Sequence, residues 1–548
     1  MTEAELRRKL LINTSTNYIR MVLRLVLGLL MFRMLFPVED AAGNHVSGLT
    51  KVEFGFWALL WSVFGYGILM DFGLGLAAQK KVAELSVHKK WDELSRALST
   101  IIYFYCIAGV IIVVLTLLSS HWLIGTIRID DPAYREPFRK VLVAFLCFIG
   151  LSFPTGISIE ILYGQHRIAL ANNLASLASV ANFVVVMLGL KHGWGLMEIM
   201  LSAMISALIP SVIGGWMGLK TLPGVRILPR YFSWKMLKET MGFSLFAYIG
   251  LVTQLAMQQT DRLVLSTMMV VSAVAIYQAG AKVADIFWAF TAQMPETVSP
   301  AAAHFSAQGD RGALQRLLAD STRFNVMIAT PLFIMCAFYM EGLLHLLTKG
   351  QAVSGPVFWV GQVLLAWCYS VIITHSISKK IFMMCGHERR LTQLSVIEAV
   401  MKLILTIGLV YYFKSVVVVA IGSLIPSLII GWGYLWPWAA KDAGLNGWQL
   451  AAHVLFRNLR ACLPLVTFAL VCRALPMAVQ WLAPGVSPAT LHWLDFRDNI
   501  VLFVIEGSIA GVLALGGVWT WALTASEREK VAGKFGKLTA RFVRVKPA

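Results

Sequence analysis

Arginine and amide side chains recur inside the first apolar stretch of this sequence, where their spacing places them on one side of a helix. Asn17, Arg20 and Arg24 are three and four residues apart, and a helix of 3.6 residues per turn brings such residues onto one stripe. The two arginines repel each other, and residues 13–36 contain no acid. Because guanidinium binds phosphate through two parallel hydrogen bonds, the stripe indicates a site for a phosphate-containing anion.

A second set of polar residues lies in the apolar stretches that begin near residues 239 and 270. Asp261 and Arg262 are adjacent, and Gln278, Lys282 and Asp285 recur at helical spacing on one face. Ionisable groups at membrane depth are costly, so each one indicates a functional site or a charged partner. Lys282 can be neutralised by Asp285, or it can supply a third cation for an anion. Amides such as that of Gln278 suit the hydroxyls of a sugar.

A later apolar stretch carries Glu398 and Lys402, which are four residues apart and can pair with each other on a helix. We interpret all these polar residues as two groups. The predicted substrate-binding residues are Asn17, Arg20, Arg24, Gln278 and Lys282. The predicted coupling or gating residues are Asp261, Arg262, Asp285, Glu398 and Lys402.

Membrane-spanning helices must position these residues, because the chain is too apolar for a soluble protein. Of its 548 residues, 58% are hydrophobic and only 14% are charged, whereas soluble domains carry about 25% charged residues. Apolar runs of about 20 residues, the length that crosses a bilayer, recur along the chain. We predict an all-α polytopic membrane protein with about 14 transmembrane helices. They lie near residues 13–36, 54–77, 98–119, 137–162, 168–190, 197–218, 239–266, 270–296, 323–346, 356–384, 392–413, 416–439, 458–481 and 498–523.

The basic residues predict the orientation of these helices. Most of the 47 lysines and arginines fall in alternate loops, such as 80–96 and 220–238, and in the tail after residue 526. Cytoplasmic loops collect positive charge, so both termini are predicted to be cytoplasmic. The same distribution accounts for the net charge of +18 without a nucleic-acid partner. We expect the basic tail to lie against anionic membrane lipids or to dock a cytoplasmic partner.

The seven cysteines are scattered singly through apolar stretches, with no Cys-x-x-Cys pair or Cys/His cluster. This pattern favours packing roles over a metal site or a disulfide framework. We therefore predict no catalytic residue, no metal and no cofactor. A proton or Na⁺ bound by an acid such as Asp285 or Glu398 is the one small partner that the sequence leaves open.

An internal repeat organises the predicted helices. Residues 205–216 (ISALIPSVIGGW) match 421–432 (IGSLIPSLIIGW), Leu-x-Arg-x-Leu at 94–98 recurs at 314–318, and Gly-x-x-Arg at 164–167 recurs at 386–389. Each copy holds six helices, so the copies have the same orientation and form two lobes related by a pseudo-twofold axis along the membrane normal. The predicted divisions are an N-lobe (1–222), a C-lobe (223–440), two further helices (441–525) and a basic cytoplasmic tail (526–548).

Two segments resemble a known family. Residues 54–77 (FGFWALLWSVFGYGILMDFGLGLA) resemble the second helix of polysaccharide-transporter flippases, and residues 261–277 (DRLVLSTMMVVSAVAIY) resemble their segment between the seventh and eighth helices. These O-antigen and exopolysaccharide flippases belong to the multidrug/oligosaccharidyl-lipid/polysaccharide flippase superfamily. The resemblance covers essentially the whole chain, including its helix number and repeat.

The resemblance implies a transporter of the bacterial inner membrane that serves polysaccharide biosynthesis, such as that of lipopolysaccharide O-antigen. Such a protein is not an enzyme. It moves a lipid-linked oligosaccharide, commonly on undecaprenyl diphosphate, from the cytoplasmic to the outer leaflet by alternating access. Its other partners would be membrane lipids and glycan-assembly proteins. Cationic groups are expected in its cavity, where Arg20, Arg24 and Lys282 would lie.

Three alternatives remain open from the residues. A cation-coupled multidrug exporter of the same superfamily should have an acidic cavity, whereas the clearest buried cluster here is basic. A flippase for peptidoglycan precursors would also require arginines. A membrane glycosyltransferase or polymerase would require catalytic acids in an extracytoplasmic loop, for which Asp130 and Asp131 are the candidates. That pair is more typical of a turn.

Overall fold

A computed structural model describes residues 3–67, 72, 74–242, 245–482, 495, 499–530 and 532–533. Residues 68–71 and 73 of the segment that resembles the flippases lie outside the described residues. So does most of the basic tail. Most of 483–498, which precede the last predicted span, are outside them as well.

The described chain is almost entirely helical, as its apolar runs require. The helices are α1 (Glu3–Leu35), α2 (Lys51–Gly67), α3 (Leu74–Val87), α4 (Trp91–Thr126), α5 (Arg135–Ser152), α6 (Ile157–Gly164), α7 (Ile168–Lys191), α8 (Leu196–Lys220), α9 (Trp234–Gly242), α10 (Leu245–Met268), α11 (Val271–Thr291), α12 (Gln293–Ala307), α13 (Arg311–Phe338), α14 (Met340–Thr348), α15 (Pro356–Val371), α16 (Ile377–Met384), α17 (Glu388–Phe413), α18 (Val416–Ile430), α19 (Trp436–Asp442), α20 (Gly447–Ala461), α21 (Leu463–Leu482) and α22 (Ile500–Gly517). Three π-helical segments (Ile372–Ser376, Gly431–Leu435, Val518–Ala522) and three 3₁₀ turns (Pro132–Tyr134, Phe153–Thr155, Pro229–Tyr231) extend or join them. A short antiparallel ribbon of β1 (Val38–Glu39) and β2 (His45–Ser47) follows α1.

Within the described residues, nine helical stretches are long and apolar enough to cross a membrane, and α20 with the first part of α21 forms a tenth that is bent by 52°. Helices α10 and α11 are also long enough, at 24 and 21 residues. They are more polar because they carry the glutamines and charged residues of the predicted site. The predicted all-α polytopic membrane fold is confirmed, whereas the number of fourteen spans stays a prediction.

The internal repeat is visible in the order of the helices. Helices α4, α6, α7 and α8 each have a counterpart that begins 220 residues later, namely α13, α16, α17 and α18. The matched prolines, Pro210 and Pro426, both lie inside helices. A left-handed residue ends the turn before α7 (His166, φ 57°) and the turn before α17 (Gly386, φ 80°). The repeated sequence therefore produces repeated local structure.

Two equivalent glycines show the repeat in the packing of side chains. A Cβ atom on Gly215 would lie 2.4 Å from Oγ of Ser158, and one on Gly431 would lie 2.5 Å from Oγ1 of Thr374. Both the glycines and the hydroxyl residues are related by the offset of 216 residues found in the sequence. Each glycine lets a hydroxyl-bearing helix approach its backbone closely, which is a common device for packing helices in membranes.

The chain packs as two compact units. Unit 1 comprises residues Met1–Ala279, Leu347–Gln351 and Ser395–Gly422, and unit 2 comprises Gly280–Leu346, Ala352–Leu394 and Ser423–Ala548. In unit 1 one apolar cluster joins α3, α4 and α6, with Tyr105 and Leu98 among its buried members. Helices α4 and α5 pack closely where Gly109 contacts Gly150. A Cβ atom on Gly109 would lie 2.2 Å from the carbonyl oxygen of Gly150, so only glycine fits at this position.

In unit 2 three apolar clusters hold the helices together. One joins α12, α13 and α16, a second joins α13 to α21 and α22, and a third contains Val326, Ile373 and Val454. Indole groups add hydrogen bonds between helices, since Trp367 donates to Oγ of Ser427 at 2.9 Å.

Hydrogen bonds hold the segment between α8 and α9 against helix α4 in unit 1. Buried hydroxyls of α4 accept hydrogen bonds from its backbone N–H groups: Ser95 from Arg226 at 3.0 Å, Ser99 from Leu228 at 3.2 Å and Thr100 from Ser233 at 3.2 Å. Leu222, near the start of this segment, and Leu237, in α9, are buried in the same apolar cluster as Leu98. A loop that joins two spans is thus fixed against a helix along its length.

Candidate functional site

The predicted cationic stripe lies on α1. The Arg20 guanidinium donates to Oδ1 of Asn17 at 3.2 Å, and a longer contact of 3.5 Å reaches the hydroxyl of Tyr163 on α6. Asn17 and Arg24 are exposed, and Arg20 is half-buried. A Cβ built on Gly28, which continues the stripe by one turn, meets no atom within 4 Å. The stripe therefore presents two guanidinium groups and an amide to open space, where an anion could reach them.

A buried ion pair joins α10 to α17 within unit 1. Nζ of Lys402 lies 2.9 Å from Oδ1 of Asp261, and the two side chains are only 1% and 4% exposed. Lys402 also donates to the backbone carbonyl of Met257, and Asp261 accepts from the hydroxyl of Tyr277 on α11. A buried charge is tolerated when a partner and additional hydrogen bonds compensate its lost hydration. These contacts supply that compensation for both charges.

Arg262 has different partners from its neighbour Asp261. Its Nε donates to Oε1 of Gln278 at 2.7 Å, and Nη1 donates to Oε1 of Gln259 at 3.1 Å and to the carbonyl of Gln258 at 3.3 Å. Successive residues on a helix point about 100° apart. Asp261 consequently pairs with α17, while Arg262 links α10 to α11 through amide oxygens.

The remaining predicted residues are distributed over both units. Glu398 is buried, at 3% exposure, one turn before Lys402 on α17. Lys282 and Asp285 lie on the part of α11 that belongs to unit 2, where Lys282 is half-buried and Asp285 is exposed. Unit 1 thus brings together Asp261 with Lys402 and Arg262 with Gln278. It also brings Arg20 together with Asn17.

Several members of these networks were not predicted from the sequence. They are Tyr163, Tyr277, Gln259 and the carbonyl group of Met257. Tyr277 ends the second segment that resembles the flippases, and a tyrosine in an apolar stretch requires a partner for its hydroxyl, so it carried a usable signal. The backbone carbonyl of Met257 leaves no such signal in the sequence, because every residue has one. A further hydrogen bond of 2.7 Å between Tyr66 and Thr260 ties α2 to α10 beside the network.

The acids of the loop after α4 are engaged in capping. Asp131 accepts from the backbone N–H of Ala133 at 2.9 Å, and Asp130 accepts from Oγ of Ser272 at 2.6 Å and from its N–H at 3.2 Å. Both carboxylates therefore hold backbone in place, which is the turn-like role expected of this pair. Among the described residues, no group of three or more His, Cys, Asp or Glu side chains is arranged to hold a metal ion.

Comparison with known proteins identifies the family. The family described as "Polysaccharide biosynthesis protein" matches residues 49–351, more than half of the chain. No curated protein sequence matches.

Solved structures show the fold. The lipid II flippase MurJ in its inward closed conformation is similar with a TM-score of 0.66 at 14% identity, over 92% of this chain and 98% of that one. An inward-facing multidrug resistance MATE family transporter of the MOP superfamily has a TM-score of 0.62 at 15% identity, over 79% and 98% of the chains. A MOP superfamily transporter from Pyrococcus furiosus has a TM-score of 0.51 at 15% identity, over 80% and 94%.

At these identities the structural likeness establishes the fold alone, and the match to residues 49–351 establishes the family. Both agree with the family that the two sequence segments indicated. The chain belongs to the polysaccharide biosynthesis protein family, and it has the fold of the multidrug/oligosaccharidyl-lipid/polysaccharide (MOP) flippase superfamily.

Proposed function

We propose that the protein translocates a lipid-linked oligosaccharide from the cytoplasmic to the outer leaflet of the bacterial inner membrane. The observation that carries the proposal is the open stripe of Asn17, Arg20 and Arg24 on a helix of a polytopic membrane protein. Two cations and an amide on a helix within an apolar stretch favour an anionic and hydrogen-bonding ligand. The family's role in polysaccharide biosynthesis supports a ligand that carries sugars.

In this account the diphosphate is bound by Arg20 and Arg24. The guanidinium forks bind phosphate oxygens bidentately, and the ligand's negative charge relieves the repulsion between them. Asn17 holds Arg20 in its present orientation, and Tyr163 offers a hydroxyl next to it. Gln278 would contact sugar hydroxyls only after exchanging its hydrogen bond to Arg262. Undecaprenyl diphosphate is the proposed carrier, and its lipid tail would stay in the bilayer during the movement.

The buried network has a different proposed role, in gating. Lys402, Asp261 and Tyr277 connect three helices that would have to shift when the accessible side changes. Glu398 and Asp285 are the acids through which a proton or Na⁺ would couple. Arg262 would transmit movement of α10 to α11.

The repeats, the termini and the tail have proposed roles as well. The two repeats, 1–222 and 223–440, would rock against each other, with 441–525 as an additional pair of helices. Both termini would be cytoplasmic, and the tail 526–548 would contact lipids or a glycan-assembly protein. The protein would perform no catalysis and would require no cofactor. O-antigen or another lipopolysaccharide component is the proposed cargo.

A second candidate is a flippase for a peptidoglycan precursor. It is favoured by the similarity to the structure titled as the lipid II flippase MurJ. Both substrates would combine a lipid diphosphate with sugars, so both would use the arginine stripe.

Reconstitution into liposomes tests the proposed function and separates the candidates. Fluorescently labelled undecaprenyl-diphosphate oligosaccharide and lipid II are incorporated separately, and outward movement is measured by chemical quenching of the exposed label. We expect protein-dependent movement of the oligosaccharide lipid. Movement of lipid II alone would select the second candidate. Transport of a cationic dye with neither lipid moved would contradict both and indicate an exporter.

A further inference from the structure

A cavity of about 510 Å³ lies outside the networks described above, on unit 1. One wall is the turn that leads into α4, with Lys89, Lys90 and Trp91. The other wall is the segment between α8 and α9, with Arg226 and Tyr231. Cavities of this size hold small molecules or headgroups. Both walls belong to loops on the side predicted to be cytoplasmic.

The charge at the cavity is positive. Three cations line it together with two acids, Asp92 and Glu93, and Glu93 is paired with Lys90 at 3.3 Å. The segment 220–238, which supplies the second wall, contains five basic residues and no acid. After this pair is counted, the two cations Lys89 and Arg226 remain against one acid, Asp92, so the cavity keeps a net positive charge.

Aromatic rings accompany the cations. Trp91 and Tyr231 line the cavity from opposite walls, and the Arg230 guanidinium lies 5.2 Å from the centre of the Tyr231 ring. Tryptophan and tyrosine side chains are suited to a boundary where one part of a ligand is polar and another is apolar. The combination fits a phosphate attached to an organic group better than a free inorganic ion.

The second wall is built to hold its shape. The hydroxyls of Ser95 and Ser99 bind the backbone at residues 226 and 228, and Ser95 itself lines the cavity. Gly224 packs against Trp91 so closely that a Cβ there would lie 2.3 Å from Cγ of the indole. Because these contacts fix the backbone around Arg226, the cavity is preorganised for a ligand.

We propose that this cavity binds the phosphate group of an organic phosphate at the cytoplasmic face of the protein, with Lys89 and Arg226 as its cationic contacts. The shared chemistry, a phosphate bonded to a polar organic group, is offered by two sources: the headgroup of an anionic phospholipid, and a soluble phosphate compound. The proposal is independent of the flipping activity and of the arginine stripe.

Binding to the purified full-length protein in detergent tests the proposal. Isothermal titration calorimetry is performed with short-chain phosphatidylglycerol, with short-chain phosphatidylcholine, and with glycerol phosphate as the soluble probe. The double variant Lys89→Gln/Arg226→Gln removes the two cations. The matched control, Lys235→Gln/Lys238→Gln, removes two cations from the adjacent helix α9, at positions that do not line the cavity.

We expect phosphatidylglycerol or glycerol phosphate to bind, and the cavity variant to weaken that binding about tenfold or more, the effect of losing charge-assisted hydrogen bonds. The control should change it less than about twofold. Preference for phosphatidylglycerol identifies the lipid as the source, and preference for glycerol phosphate identifies the soluble compound. Ser95→Ala/Ser99→Ala, which keeps every charge but loosens the wall, should weaken binding to an intermediate degree.

Two results would overturn the proposal. One is the binding of neither phosphatidylglycerol nor glycerol phosphate, or a binding of phosphatidylcholine that is as tight as that of whichever of these two probes binds. The other is an equal loss of binding in the cavity variant and in the control, which would indicate general charge attraction. Circular dichroism and thermal midpoints of all variants are compared first, so that a folding defect is recognised. Because the assay measures no translocation, a failure of the proposed flipping activity would leave its outcome unaffected.

Discussion

Lys402 on α17 pairs with Asp261 on α10, with 2.9 Å between Nζ and Oδ1 and with both side chains almost completely buried. The two residues come from opposite ends of the second repeat, so the pair fixes long-range packing within unit 1. The hydroxyl of Tyr277 adds a hydrogen bond to Asp261, and the carbonyl of Met257 accepts one from Lys402. A substitution that removes one of these charges and leaves the other buried should lower the free energy of unfolding.

We predict that Lys402→Met lowers the free energy of unfolding by about 3–5 kcal/mol, because it leaves the Asp261 carboxylate buried without its cation. The double variant Asp261→Asn/Lys402→Met should recover a large part of that loss. Unfolding in mixed micelles measures both changes, with the exposed Lys191→Met as the control. If the loss of stability in the double variant equals the sum of the losses in Asp261→Asn and in Lys402→Met, the pair is not coupled.

The equivalent glycines of the repeat give a second prediction. Gly431→Ala should lower the free energy of unfolding by about 1–3 kcal/mol, because the added methyl group would overlap Thr374 and His375. Gly433 lies in the same π-helical segment, and a Cβ there meets nothing within 4 Å. Gly433→Ala should consequently be neutral or slightly stabilising. Equal losses of thermal stability in the two variants would refute the close approach at residue 431.

The carboxylate of Glu527 gives a prediction about pH. Partial burial raises its pKa, but hydrogen bonds from Thr524 and the ion pair with Arg323 outweigh this effect and hold the pKa below its usual value. A lowered pKa means that the folded state gains stability above the carboxyl's ordinary pKa of about 4.3 and loses it as the pH falls through the lower folded value.

Thermal midpoints of the wild type and of Glu527→Gln, measured between about pH 3 and pH 7, check this prediction. The wild type should be the more stable protein near pH 7, and the difference should shrink as the pH falls. Glu529→Gln changes an exposed carboxylate two residues away and is the control. If the difference in thermal midpoint between the wild type and Glu527→Gln instead grows as the pH falls, the prediction for this ion pair is contradicted.

The sequence predicted those contacts that depend on helical periodicity. The spacing of Asn17 and Arg20 predicts that they lie on one face of a helix, and their side chains form a hydrogen bond. The pattern could not identify Asp261 as the partner of Lys402, because a periodic spacing reports only on neighbours along one helix. It therefore suggested Glu398, four residues away, for the same lysine. That second pairing stays a prediction.

The contacts of hydroxyl groups were less predictable still. Serine and threonine inside apolar helices commonly bond to their own backbone, as Thr100 does with the carbonyl of Arg96 at 2.7 Å. Nothing in their spacing indicated that Ser95, Ser99 and Thr100 also receive the N–H groups of a distant loop. Such contacts depend on where the loop lies, which composition and periodicity do not determine.

The central claim is that the arginines of α1 bind the diphosphate of the transported lipid. The most direct measurement is the rate of outward movement of undecaprenyl-diphosphate oligosaccharide in liposomes that contain Arg20→Ala/Arg24→Ala. Arg20→Lys/Arg24→Lys keeps the charge but loses the bidentate geometry, and Lys191→Gln removes a cation outside the stripe. We predict a loss of at least about a hundredfold for the double alanine variant, a smaller loss for the lysine variant and none for Lys191→Gln. Wild-type rates in a correctly folded double alanine variant would contradict the account.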